Sequence, residues 1–111
     1  MQSGKIDHTL FESNHRPFDD MVGLVNAVKR TQSSWCWGSN NWIKMNDYCL
    51  RWTVQGALFK GHIYLVVNGS DLFDIYFCSN RGNIKQTAQD VYVDVLVETI
   101  DSIVERAPQH A

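Results

Sequence analysis

The feature that most constrains the fold is the alternation of apolar and more polar side chains within three runs between residues 48 and 78. Successive side chains of a β-strand face opposite sides of a sheet, so alternating runs predict strands with one apolar and one mixed face. Three such runs are present, at 49–55, 62–67 and 73–78. The residues predicted for the apolar face are Leu50, Trp52, Val54, Ile63, Leu65, Val67, Phe73, Ile75 and Phe77.

The connections between the runs are short. Asn68-Gly69 lies between the second and third runs and predicts a tight hairpin, because both residue types tolerate the positive φ values that such a turn requires. Gly56 and Gly61 flank the first connection and predict a bulge or turn around residues 58–60. Links this short join only antiparallel neighbours, so the stretch predicts an antiparallel meander.

The segment before the meander predicts a helix that covers its apolar face. Pro17 suits the first turn of a helix, since its fixed φ and missing N–H have no cost there. An apolar stripe at helical spacing follows, made of Phe18, Met21, Val22, Val25 and Val28.

A second helix is predicted after the meander. Thr87 to Asp90 resembles a capping box ahead of an apolar run, which favours helix over strand for the valines that follow. The apolar side is then formed by Leu96, Ile100, Ile103 and Val104. The opposite, solvent-facing side is formed by Asp94, Glu98, Asp101 and Glu105.

These elements define the predicted architecture. One more strand is expected within Trp35 to Met45, broken near the turn cluster Gly38–Asn41. The prediction is an α+β fold with an N-terminal helix, a three- to four-stranded antiparallel meander sheet and a C-terminal helix, both helices on one sheet face. We expect residues 1–16 to form a flexible N-terminal arm, residues 17–106 a single α-β-β-β(-β)-α domain and residues 107–111 a frayed tail.

Composition narrows the classes of function. A formal net charge of −2 argues against binding nucleic acid mainly through bulk electrostatics. The three cysteines, Cys36, Cys49 and Cys78, form an odd set without a C-x-x-C spacing, so we expect free thiols in a reducing cytoplasm and neither a metal nor a cofactor. No apolar run reaches transmembrane length, so no membrane partner is expected.

One catalytic arrangement can be drawn from the sequence. Cys78 or Cys49 could act as a nucleophile with His62 as its base, and Asp74 could orient that base. Each of these residues also has an ordinary structural explanation in a sheet, and no established catalytic motif is present. We therefore expect that the protein is not an enzyme, with a cysteine–histidine enzyme as the lesser alternative.

The mixed sheet face carries the candidate contact residues. Arg51, Tyr64 and Tyr76 are predicted to share it, and aromatic rings beside a guanidinium suit the docking of a protein partner. Trp35 and Trp37 precede a turn cluster, and one of them is expected at the rim as a further anchor. A purely structural explanation stays open, in which the two tyrosines form a cross-strand pair that stabilises the sheet.

Nucleic-acid binding by the same face is the alternative. Lys60 to Tyr64 faintly resembles the nucleoprotein motif of RNA-recognition domains, with Tyr64 in a stacking position. That fold needs a helix between its first two strands, whereas here the strands follow one another directly. Lys85 also stands alone where double-stranded-RNA-binding domains carry a lysine cluster at the start of their last helix.

Three segments, CWGSNNW, FKGHIYLVVNGSDLFDIYF and VYVDVLVETID, resemble small uncharacterised proteins of bacteriophages and mobile elements in gut Bacteroidetes-type bacteria. The resemblance covers about Phe18 to Glu105. It implies a cytoplasmic accessory role in a bacterial host cell and transfers no active site. We therefore expect a small non-catalytic interaction protein that modulates or inhibits a host or element protein by binding it, and a homodimer stays open.

Overall fold

The structure, a computed structural model, describes residues 21–31, 37–46, 48–68 and 70–104. Its elements in chain order are α1 (Met21–Lys29), β1 (Asn40–Asn46), β2 (Cys49–Gln55), β3 (Lys60–Val67), β4 (Phe73–Cys78), β5 (Ile84–Val91), a 3-10 turn (Val93–Val95) and α2 (Leu96–Val104). The strands form one antiparallel sheet in the order β1-β2-β3-β4-β5. The fold is therefore α+β, with five strands where three or four were expected. The predicted N-terminal arm and C-terminal tail lie outside the described residues.

The alternation in strands β2 to β4 assigns the sheet faces as predicted. Trp52 is paired with Ile63, and Ile63 is paired with Phe77, so these three side chains lie in one row of the core. The residues predicted for the apolar face are buried, except Phe73, which packs against the core while partly exposed. We call the side of the sheet that carries these residues the first face.

The connection between β3 and β4 is longer than expected for the predicted tight hairpin. Val67 and Phe73 are paired, so five residues lie between the strands. Asn68 closes the loop, because its backbone N–H donates to the Leu72 carbonyl at 2.8 Å. Asp71 has a positive φ of 69°, and Gly69 of the predicted turn lies outside the described residues. An asparagine side chain that accepts backbone N–H groups of its own loop makes this longer form stable.

The capping-box prediction at Thr87 to Asp90 is wrong. These residues belong to β5, the fifth strand of the sheet, in which Thr87 is paired with Tyr76 and Val91 with Phe73. The backbone of β4 would otherwise present an unpaired edge, and pairing with β5 satisfies its hydrogen-bonding groups. The second helix consequently begins at Leu96, after the 3-10 turn.

Helix α2 packs on the first face. Its residues Leu96, Ile100 and Val104 are completely buried in the core cluster. The carbonyl group of Val104 accepts hydrogen bonds from the backbone N–H groups of Leu58 at 2.8 Å and Phe59 at 3.2 Å. The connection between β2 and β3 thereby caps the last turn of the helix.

Helix α1 contributes a narrower apolar stripe than predicted. Val28 belongs to the same core cluster as α2, and Leu24 and Val25 pack against that cluster while partly exposed. Val22, which was predicted to lie in the stripe, is 72% exposed. Pro17 and Phe18 lie outside the described residues. Neither α1 nor α2 is long and apolar enough to cross a membrane.

Candidate functional site: the second face of the sheet

The second face is the side of the sheet opposite α2, and one row of residues runs across it from edge to edge. Arg51 is paired with Tyr64, Tyr64 with Tyr76, and Tyr76 with Thr87. Ile43 of β1 is paired with Arg51 and completes the row at the other edge. Residues directly opposite in antiparallel strands point to the same face with Cβ atoms about 5 Å apart. We call these five residues the central row.

A separate apolar cluster lies around the central row. Cys49, Val66 and Cys78 are completely buried, and Tyr64 is only 5% exposed. The residues that pack against this cluster while partly exposed are Met45, Tyr48, Tyr76 and Ile84. No described helix contributes to the cluster, whose members all come from the strands and from the turn before β2. The second face therefore has an apolar floor of its own, distinct from the core.

Exposure along the central row is uneven. Ile43 at one edge is 40% exposed, and Thr87 at the other edge is exposed as well. Arg51 and Tyr76 are partly exposed, whereas Tyr64 lies almost completely beneath the surface. The row therefore presents two edge residues, a guanidinium and one tyrosine, with Tyr64 as the support between them.

Arg51 carries a buried donor atom that is unsatisfied among the residues that the structure describes. Its Nε atom is buried, and no hydrogen-bond partner for it lies in that part of the chain. Its positive charge acts on two neighbours. Burial is the first cause that lowers the pKa of His62, and the charge of Arg51 lowers it further. The same charge opposes the rise in the pKa of the Cys49 thiol.

The structure does not assemble the cysteine–histidine–aspartate arrangement. His62 Nδ1 lies 3.0 Å from the hydroxyl oxygen of Thr53, its cross-strand partner. Asp74 is paired with Val66, four residues along β3 from His62, which corresponds to about 13 Å of strand. A carboxylate at that distance cannot orient the imidazole.

The two thiols are also poor nucleophiles. Burial, followed by the nearby Cys78 thiol, raises the pKa of Cys49 to about 12, and burial raises the pKa of Cys78 to about 11. The thiolate is the reactive form of cysteine, and at neutral pH it is rare for groups with such values.

Asp74 instead holds the β3–β4 loop against β5. Its Oδ1 accepts a hydrogen bond from Asn68 Nδ2 at 2.9 Å and another from the backbone N–H of Asp90 at 3.1 Å. The same Nδ2 donates to Asp90 Oδ1 at 2.8 Å, while Asn68 Oδ1 accepts the N–H groups of Ser70 and Leu72. This buried carboxylate is thus hydrogen-bonded as a structural group. Across the described residues, no three histidine, cysteine or acidic side chains are grouped as a metal site.

The predicted contact residues are therefore only partly brought together. Arg51, Tyr64 and Tyr76 lie in one row, as expected from the alternation. Trp37 lies in the core on the first face with no exposed surface, and its Nε1 donates to Asp101 Oδ1 at 2.9 Å. Asp101 is consequently only partly exposed and lies beside Trp37, although it was predicted for the solvent side of α2. Trp35 lies outside the described residues.

Two members of the central row, Ile43 and Thr87, were missed by the sequence analysis. Neither residue type signals a contact surface by itself, and only the pairing of β1 with β2 and of β4 with β5 places them beside Arg51 and Tyr76. Comparison with known proteins adds no relative: no protein-family model, curated protein or solved structure matches this chain. Function must therefore follow from the chemistry of the second face.

Proposed function

We propose that the protein is a non-catalytic interaction module and that it binds a protein partner through the central row of its second face. The supporting observation is the composition of that row. Arginine and tyrosine are enriched among the residues that dominate binding energy in protein interfaces, where a rigid, partly buried anchor loses little entropy on binding. Arg51 and Tyr76 are both partly exposed and are held in register by the sheet.

The surroundings of the row fit the same proposal. Tyr64 and the buried cysteines pack together beneath the row, so the partly exposed Arg51 and Tyr76 rest on a preformed support. Ile43 and Thr87 extend the surface to both edges of the sheet. An apolar centre within a more polar rim is the usual organisation of a protein interface.

Nucleic-acid binding by this face has less support. The permanent cations that β2 and β3 place here are Arg51 and Lys60, and Lys60 lies two residues before His62 near the end of the face. Proteins held to nucleic acid by charge neutralise many phosphates, and this chain has a formal net charge of −2. The almost completely buried ring of Tyr64 also offers no open surface on which a base could stack.

The resemblance to small proteins of bacteriophages and mobile elements is the basis for proposing which kind of protein is bound. The partner would be a host or element protein whose activity is modulated or inhibited when it binds the second face. The genes beside this one are the natural first candidates for the partner.

A photo-crosslinking experiment with two neighbouring positions tests the proposal. Thr87 and Gln86 are both exposed on edge strand β5, but Thr87 is paired with Tyr76 on the second face and Gln86 with Phe77 on the first face. A photoreactive phenylalanine analogue would replace one or the other, and each variant would be expressed in the bacterium that carries the gene. The two positions are adjacent, so they lie at nearly the same distance from the ends of β5. They differ in the face of the sheet from which an adduct would form.

We expect the Thr87 variant to form a discrete adduct with one protein, and the Gln86 variant to form none or a much weaker one. Substituting Tyr76 by alanine in the Thr87 variant should abolish the adduct. An adduct from Gln86 alone would refute the second face as the binding surface. An adduct between two copies of the chain would replace the foreign partner by a homodimer, and adducts with nucleic acid would favour the alternative function.

A further inference from the structure

The most unusual group on the second face is the guanidinium of Arg51. A charged donor taken partly out of water is normally paired, because leaving it unpaired loses hydration without replacing it. Arg51 Nε is fully buried and has no hydrogen-bond partner in the described part of the chain. The Arg51 residue as a whole is partly exposed, so a molecule that approaches the second face can reach part of it.

The residues paired with Arg51 across the strands offer no negative charge. Its cross-strand partners are Ile43 and Tyr64, and neither is acidic. Asp74, the buried carboxylate of this face, is already hydrogen-bonded to Asn68 and to the backbone of Asp90. Among the described residues, Arg51 Nε thus has no hydrogen-bond partner, and neither cross-strand partner of Arg51 carries a negative charge.

We propose that Arg51 binds a carboxylate of the partner, supplied by an aspartate or glutamate side chain or by a C-terminus in an extended segment that crosses the central row. This inference rests on the proposed function and specifies the chemistry of the partner. A planar guanidinium binds a planar carboxylate through parallel hydrogen bonds. Part of the dehydration of Arg51 has already occurred on folding, so the bound carboxylate gains more than it would from a fully exposed arginine.

The dimensions of the face define the length of the segment. Neighbouring strands lie about 4.8 Å apart, so the central row from Ile43 to Thr87 spans about 19 Å. About six residues of extended chain cover that distance. The acidic group would lie near one end of the segment, over Arg51, and an aromatic or aliphatic side chain would lie beside it over Tyr76.

A carboxylate is favoured over a phosphate as the group that Arg51 binds, because the positive charge placed on this face by β2 and β3 is small. A phosphate group carries more charge and is usually bound by several cations or by a helix N-terminus. Lys60, the other lysine or arginine placed on this face by β2 and β3, is four residues along β3 from Tyr64, about 13 Å from the central row. One guanidinium beside aromatic rings therefore fits an acidic peptide.

Peptide selection tests the inference whichever protein is the natural partner. A displayed library of random peptides about twelve residues long, twice the span of the row, would be selected on the full-length protein. The enriched peptides would then be synthesised and titrated against wild type, Arg51→Gln and Arg81→Gln. The last variant is the matched control, because Arg81 is exposed in the β4–β5 turn and the substitution removes the same charge.

We expect enriched peptides to combine an acidic residue with an aromatic or aliphatic neighbour. Their Kd should rise roughly tenfold or more in Arg51→Gln, as expected for the loss of a hydrogen-bonded charge pair, and should not change in Arg81→Gln. Circular dichroism of Arg51→Gln would establish that the variant is folded. Replacement of the peptide's acidic residue by its amide should have the same effect as the protein substitution.

The outcomes separate this inference from the proposed function. Peptides that lose affinity in Tyr76→Ala but not in Arg51→Gln would leave the contact face intact and refute the carboxylate inference. If neither substitution changes the affinity of the selected peptides and no other ligand binds this face, both the carboxylate inference and the proposed function are refuted. Arg51-dependent binding of single-stranded oligothymidylate, without any enrichment of acidic peptides, would overturn the inference in favour of nucleic acid.

Discussion

Substitution of Arg51 by methionine should stabilise the free protein. Methionine keeps an unbranched apolar chain of similar length against the apolar floor of the second face, but removes the buried Nε donor, which has no partner among the described residues. An unsatisfied buried donor costs about 1–3 kcal/mol. Arg51 is only partly buried, so the lower end of that range applies, and we expect the free energy of unfolding to rise by about 1 kcal/mol.

Urea denaturation followed by tryptophan fluorescence measures the effect, since Trp37 and Trp52 are completely buried and report the core. With an m-value of about 1–3 kcal/mol/M for a small domain, the gain corresponds to a rise of roughly 0.3–1 M in the midpoint at unchanged m. Arg81→Met is the control and should change the free energy of unfolding by less than about 0.5 kcal/mol, since Arg81 is exposed.

A fall in stability of more than about 1.5 kcal/mol in Arg51→Met would refute this reasoning, because a loss of that size indicates a partnered charge. Arg51 would then be a structural residue with a counter-charge in the free protein. The same substitution should weaken the binding of acidic peptides. The predicted combination of a more stable fold and a weaker complex is the expected signature of a group retained for binding.

Three further predictions concern the stability of the fold. Asp101→Ala removes the acceptor of the buried Trp37 N–H and should cost about 1–3 kcal/mol in urea denaturation, whereas Asp101→Asn keeps an acceptor and should cost less. Gly56→Ala should cost about 1–3 kcal/mol in the same assay, since a Cβ atom there would collide with the Val104 carbonyl. The pKa of His62 is lowered by folding, so the unfolded chain binds a proton more readily. The free energy of unfolding should therefore fall as the pH drops through about 6.5, and it should fall less in the His62→Gln variant when both are measured by urea denaturation.

The alternation of side chains was sufficient to predict the meander and its two faces. That pattern reports directly which residues avoid water, and a shift by one residue would have exchanged the faces. Arg51, Tyr64 and Tyr76 could be placed on one side for the same reason. The sequence pattern therefore predicted the middle of the candidate site.

The fifth strand could not be predicted in the same way. The residues of β5 do not alternate cleanly, because the strand lies at an edge and is exposed at most positions. Thr87 to Asp90 matched a local helix-start pattern, whereas the true constraint was long-range pairing with β4. Asp90 shows the conflict, since it has a positive φ of 55° and its backbone N–H donates to Asp74.

Trp37 shows another limit of local reasoning. Its neighbourhood in the chain, next to a turn cluster, favoured an exposed anchor. The deciding contact is with Asp101, 64 residues away, which accepts its indole N–H and allows the ring to be completely buried. A buried indole usually has such a partner, but no pattern in a single sequence identifies which residue provides it.

The most direct test of the central claim is a double-mutant cycle between Arg51 and the acidic residue of a bound peptide. Four titration-calorimetry measurements would combine wild type or Arg51→Gln with the peptide or its amide counterpart. If the guanidinium holds the carboxylate, the coupling energy should be at least about 1.5 kcal/mol. A coupling energy within about 0.3 kcal/mol of zero would show that Arg51 and the carboxylate do not meet, and would contradict the account.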